Sequence, residues 1–163
     1  MAEETRRIPA FLSGPTTPTA VLFPLRVYVG WFWLKLGLDK LYLGWLSSDN
    51  YVLVNELRGY QAPGWFEVTF FAAAEENELL FQWLIVGAQL FFGAMMLGGA
   101  VTRVAGAAIA LMSIIYWIGA GFPAGTWAIP MAIASITLAI AAAGRYLGLD
   151  AILRTRMVKV PLF

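Results

Sequence analysis

The chain has 163 residues, 60% of them hydrophobic and only 13% charged, with a formal net charge of +1 and a mean hydropathy of +0.72. A soluble domain carries about 25% charged and about 45–50% apolar residues, so this excess points to a single-domain integral membrane protein. Cys and His are both absent, which removes disulfides, thiolate nucleophiles, iron–sulfur ligation and the usual zinc or copper sites. No haem, iron–sulfur cluster or metal is therefore expected, and a redox role requires a non-covalent cofactor such as a quinone, or a partner.

Residues 1–20 are polar and rich in Pro, Thr and Gly. They lack the compact apolar core of a secretory signal and are expected to form a cytoplasmic arm. Four apolar runs follow, at about 21–43, 79–99, 103–121 and 126–146, each close to the roughly 20 residues that a spanning helix needs. The breaks "GAVTR" and "GFPAGT" are short, so neighbouring spans run antiparallel. Backbone groups in lipid must be satisfied internally, which predicts an all-α bundle of four transmembrane helices.

Charge sets the orientation. Arg103, Arg145, Arg154, Arg156 and Lys159 lie on the side of the termini, whereas Asp49, Glu56, Glu67, Glu75, Glu76 and Glu78 lie between spans one and two. Basic residues favour the cytoplasm. Both termini, including a tail at 147–163, are thus expected inside, and the localisation expected is a multi-pass inner membrane protein. The connection 44–78 is too aromatic for a disordered loop. It is expected to cap the bundle on the extracytoplasmic side, or to form an aromatic belt at the lipid headgroups.

The first span, "LRVYVGWFWLKLGLDKLYLGW", carries Arg26, Lys35, Asp39 and Lys40. At about 100° per residue, Arg26, Gly30, Trp33, Gly37, Lys40 and Gly44 share one side. The row Gly30, Gly37 and Gly44 predicts close helix packing, since small residues let backbones approach. Arg26 and Lys40 are near the ends and can snorkel. Lys35 and Asp39 fall on the opposite side, four apart, as an ion pair. A central Lys costs about 2.5–3.5 kcal/mol on insertion scales, so this pair is a candidate site.

Gln82 and Gln89 share a face of span two, where a buried amide needs a partner. Ser113, Tyr116, Trp117, Ser135 and Thr137 suit helix-to-helix contacts or interface positions, and Pro130 suits the start or a kink of span four. There is no phosphate loop, nucleotide fingerprint or nucleophile–base pair, and no nucleic-acid partner is expected. No internal repeat suggests a transporter.

Three segments in order resemble the DoxX/DoxD family. Gly37, Lys40 and Leu41 fit its first-span ending; Thr102 and Arg103 fit its second-to-third-span passage. Gly144, Arg145, Tyr146 and Asp150 fit its C-terminal motif. The acidic, aromatic connection is more similar to the DoxD branch. That resemblance implies a four-helix membrane subunit of a thiosulfate:quinone oxidoreductase, working beside a DoxA-like subunit, with thiosulfate oxidised to tetrathionate and electrons passed to quinone. It also implies a departure, because the family commonly has Glu where this chain has Gln89, and Gln exchanges no proton.

On this reading a quinone slot would use Lys35, Asp39, Gln89, Trp31 and Trp117, with Lys35 polarising a carbonyl and Asp39 relaying a proton. Lys40 and Arg58 are the candidates for an anionic substrate. The alternative is a non-catalytic accessory subunit of a larger respiratory or photosynthetic complex, surrounded by membrane lipids and other subunits.

Overall fold

The computed structural model describes residues 20–47, 52–145 and 147–156. Most of the expected N-terminal arm, the end of the tail, and the motif residue Tyr146 lie outside these. All regular elements among the described residues are helical.

Helix α1 spans Phe23–Tyr42 and carries Pro24 in its first turn, where the missing N–H would have no intrahelical partner. It ends in a Schellman motif: Gly44 adopts φ 76, its N–H reaches Leu41 O at 3.1 Å, and Trp45 N–H reaches Lys40 O at 3.0 Å. Gly44, expected in the packing row, thus lies beyond the helix and turns the chain. A short helix α2 follows at Val52–Leu57. Next come α3 (Gly64–Phe66), a π-helical turn at Glu67–Phe71 and α4 (Ala72–Glu76).

Three further helices follow: α5 (Glu78–Gly98), α6 (Thr102–Ala120) and α7 (Ala128–Ile140). A final helix, α8, covers Leu149–Arg156. Helices α5 and α6 are long and apolar enough to cross a membrane, and only 28% and 39% of their apolar windows are buried. A core helix of a soluble protein would hide most of that surface. The fourth apolar run gives a shorter helix than expected. It stops at Ile140 because Ala142 turns to φ 47, which lets Gly144 tuck against Thr102 and Asp150 with no room for a Cβ.

Helices pair tightly in twos. Between α1 and α5, a Cβ on Gly30 would sit 2.7 Å from Leu97 Cα, and one on Gly93 would sit 2.5 Å from Leu34 N. Gly37 lies against Leu90 in the same seam. Between α6 and α7, a Cβ on Gly106 would sit 2.7 Å from Ser135 O. Helices α5 and α6 touch over a smaller part of their length.

Two apolar cores result. One, around Val29, Trp33, Met96, Ile109 and Leu138, fills the bundle; the other gathers Trp45, Leu53, Leu57, Phe66, Phe71 and Val86 under the connection. Burying each such large side chain contributes about 1.5–3 kcal/mol. The aromatic connection therefore covers one end of the bundle rather than only decorating its rim. Glu78 helps to hold it, accepting hydrogen bonds from the Leu53 and Val54 N–H groups at 3.1 and 3.3 Å. Those are free donors of the first turn of α2.

At the opposite end Arg26, expected to snorkel, is 1% exposed. It donates to Ala143 O at 2.8 Å and Leu147 O at 3.0 Å. Backbone carbonyls freed by the turn at Ala142 replace water around the guanidinium, so it has no need to reach the surface.

Candidate functional site

A cavity of about 250 Å³ lies between the helix pairs and beneath the connection. Its roof comes from α2 and the π-helical turn. An extra residue in that turn brings Phe66, Phe70 and Phe71 to the same side, with Phe66 stacked on Phe70 at 4.9 Å and edge-on to Phe71 at 5.4 Å. All three line the cavity, as do Trp33, Trp45 and Phe81. Leu84 also lines it while remaining 57% exposed. The cavity therefore opens sideways along α5, through an apolar flank.

Its polar groups fall in two sets. The first is a cluster around Glu56. The Tyr116 hydroxyl donates to Glu56 Oε1 at 2.8 Å, and the Tyr60 hydroxyl donates to the same oxygen. The two hydroxyl oxygens are 3.1 Å apart. Lys40 Nζ stands 3.8 Å from Glu56 Oε2 and 3.7 Å from the centre of the Trp45 ring. The Schellman turn is what folds Trp45 back onto Lys40. Burial pushes the Tyr60 phenol well above its ordinary range, helped by the Tyr116 and Glu56 groups that face it.

The second set is deeper. Trp33 and Gln89 are each 1% exposed, and Trp33 Nε1 and Gln89 Oε1 have no hydrogen-bond partner among the described residues. Buried polar atoms are nearly always paired. Two unpaired ones on the wall of one cavity mark where a ligand with both donor and acceptor capacity would be held. Aromatic contacts join the two sets: Tyr116 meets Trp127 at 5.2 Å, and Trp127 meets Trp33 at 6.2 Å.

The site residues expected from sequence are divided by the fold. Gln89 and Lys40 line the cavity. Lys35 and Asp39 do pair with each other, but on the outer face of α1, with side chains 58% and 50% exposed. Trp31 and Trp117 are 52% and 46% exposed and also face outwards. Arg58 is exposed after α2. The wheel had placed Lys35 and Asp39 opposite the glycine row, and the glycine row is the side that faces the bundle. Ser113, Ser135 and Thr137 donate to carbonyls four residues back in their own helices, and so satisfy themselves.

Sequence reasoning passed over Trp33, Glu56 and Tyr60 as site residues. The Glu56–Tyr60 spacing of four was a usable signal, since it brings the two side chains together at the end of α2. The approach of Tyr116 to Glu56 had none, because 60 residues separate them.

Among the described residues no group of three or more acidic side chains is placed to hold a metal ion. Comparison with curated proteins and with solved structures found no match. The family model described as the TQO small subunit DoxD matches residues 21–162. With that match over nearly the whole chain, the protein belongs to the DoxD family.

Proposed function

We propose that this chain is the membrane subunit of a quinone-linked oxidoreductase of the thiosulfate:quinone type, and that the capped cavity holds the quinone ring. In this reading the four apolar runs at about 21–43, 79–99, 103–121 and 126–146 cross the inner membrane with both termini in the cytoplasm, and the connection caps the outer face. The match to the DoxD model and the apolar, outward-facing helices support it.

The observation that carries the site is the unpartnered pair, Trp33 Nε1 and Gln89 Oε1. Leaving a buried donor or acceptor unpaired costs about 1–3 kcal/mol. A quinone carbonyl accepts from the Trp33 N–H, and a quinol hydroxyl donates to the Gln89 oxygen. The aromatic walls take the flat ring, and the sideways opening at Leu84 lets an isoprenoid tail remain in lipid. A bound quinone supplies the capacity to accept two electrons and two protons. This chain's residues orient the ring and exclude water from it.

Oxidation of the sulfur anion belongs to the partner subunit, a DoxA-like chain, with Arg58 as the exposed cation nearest the roof helix on this side. Lys40 is engaged by Glu56 and Trp45, which leaves it poorly suited to an anionic substrate.

Calorimetric titration of the purified protein with a short-chain benzoquinone tests the site. Saturable binding is expected; Trp33→Phe weakens it about tenfold, and Gln89→Leu weakens binding of the corresponding quinol about tenfold, each for the loss of one hydrogen bond of roughly 1.4 kcal/mol. Lys35→Met is expected to leave both unchanged. Equal binding of each ligand by all four proteins would place the quinone elsewhere.

A further inference from the structure

We propose that Glu56 is the proton port of this cavity: its carboxyl group passes protons between the aqueous face and a quinone held at Trp33 and Gln89, by way of the Tyr116 hydroxyl. The proposal rests on the quinone reading above.

The geometry singles out this residue. Glu56 is the one carboxylate among the residues that line the cavity. Gln89, deep in the cavity, carries an amide that exchanges no proton at neutral pH. Asp39 is on the outer face of α1, and Glu78 is engaged at the first turn of α2. The Glu56 side chain keeps 29% of its surface exposed, so one carboxyl group meets both water and the buried hydroxyls.

Both hydroxyls that face it can hand on a proton, because a phenol O–H is donor and acceptor at once. Tyr116 sits on α6 against Trp127, one ring away from Trp33. Among the described residues, each charged or titratable group near Glu56 has a place in this arrangement. Lys40 of α1 balances the carboxylate, with Asp39 beside it in sequence. Tyr60 and Tyr116 contact one oxygen. Arg58 follows two residues later and is exposed. Glu78 of α5 lies at the far end of α2.

The chemistry balances. Two thiosulfate dianions join through a new S–S bond as tetrathionate and release two electrons. The quinone takes those electrons and two protons, and both C=O bonds become C–O–H. For each proton, the Glu56 carboxylate first takes one from the aqueous face; the Tyr116 O–H then gives its hydrogen to the ring oxygen as Tyr116 recovers one from Glu56, which returns Glu56 to the carboxylate that accepts the tyrosine hydroxyls.

Glu56→Gln in the full-length chain with its partner subunit tests the port, since the amide still accepts the tyrosine hydrogen bonds. Expected are retained quinone binding, a melting temperature lowered by the lost counter-charge of Lys40, and quinol formation slowed at least about a hundredfold, in the range of a lost proton-transfer group. The pH profile of the residual rate flattens. An infrared difference spectrum, quinone-bound minus free, shows a change in the carboxylate stretches of the wild type that Glu56→Gln removes. A wild-type rate and pH profile in the variant, or a carboxylate signal that survives, overturns the port alone. Loss of quinone binding in Glu56→Gln also overturns it, and makes Glu56 a brace for the roof. Failure of the wild-type protein to bind quinone overturns the port and the quinone site together.

Discussion

Asp150 grips Thr102 across 48 residues of chain. One carboxylate oxygen accepts the Thr102 hydroxyl at 2.7 Å and its backbone N–H at 2.9 Å, while the other accepts the Val101 N–H at 2.5 Å. The carboxylate thereby caps the N-terminus of α6 from outside that helix, where negative charge is favoured. It also holds Val101, a β-branched residue at φ 46, in a conformation it would otherwise avoid. Asp150→Ala strands these donors in a buried site and is expected to cost about 1–3 kcal/mol. Thermal unfolding in mild detergent measures this, and Asp150→Asn should fall between variant and wild type.

The seam between α1 and α5 gives a second expectation. Gly30→Ala drives a methyl group to 2.7 Å from Leu97 Cα, and backbone cannot swing away as a side chain can. The helices must separate, at a cost of about 1–3 kcal/mol. Gly87 is on the same α5 helix with nothing within 4 Å of its Cβ position, so Gly87→Ala should leave the melting temperature unchanged or raise it slightly.

Gln89 should separate stability from binding. Its side-chain oxygen is buried and unpaired in the free protein. Gln89→Leu removes that burden and is expected to stabilise the ligand-free protein by up to about 1–3 kcal/mol, while weakening quinol binding. Melting temperature and titration on the same sample check both signs. A variant that is less stable and binds as well as the wild type would contradict the assignment.

Alkaline pH tests the roof. An unfolded tyrosine ionises near pH 10, and burial holds the folded Tyr60 phenol above that value. The folded state therefore binds this proton more tightly. The corresponding stability is complete below about pH 10 and is lost as pH rises past it towards the folded value. Tyr60→Phe has no proton to lose. Its melting temperature is expected to fall less steeply than that of the wild type between about pH 9 and about pH 11.

The helices were legible because apolar runs of spanning length have few competing explanations. Three of the runs match their helices within two or three residues, and the glycines of α1 pointed to the face that packs on α5. The fourth boundary was missed because Ala142 and Gly144 are shaped by Asp150, which is distant from α7 and gives no periodic signal. The site was half legible. Gln89 stood out as a polar residue in an apolar run. Lys35 and Asp39 drew attention for the same reason, yet an exposed pair satisfies itself. The groups that meet at the cavity, Lys40, Glu56, Tyr60 and Tyr116, come from α1, the connection and α6. Only the folding of the connection over the bundle brings them together.

The helix pairing has a mechanical consequence. The α1–α5 seam is locked by glycine-to-backbone contact, and the α6–α7 seam is locked in the same way. The two pairs are joined in sequence by the short link at 99–101 and tied at that end by Arg26 and Asp150, and at the roofed end by the Tyr116–Glu56 hydrogen bond. Rigidity is thus concentrated within each pair, and the cavity lies between the two, where a few polar ties hold them together.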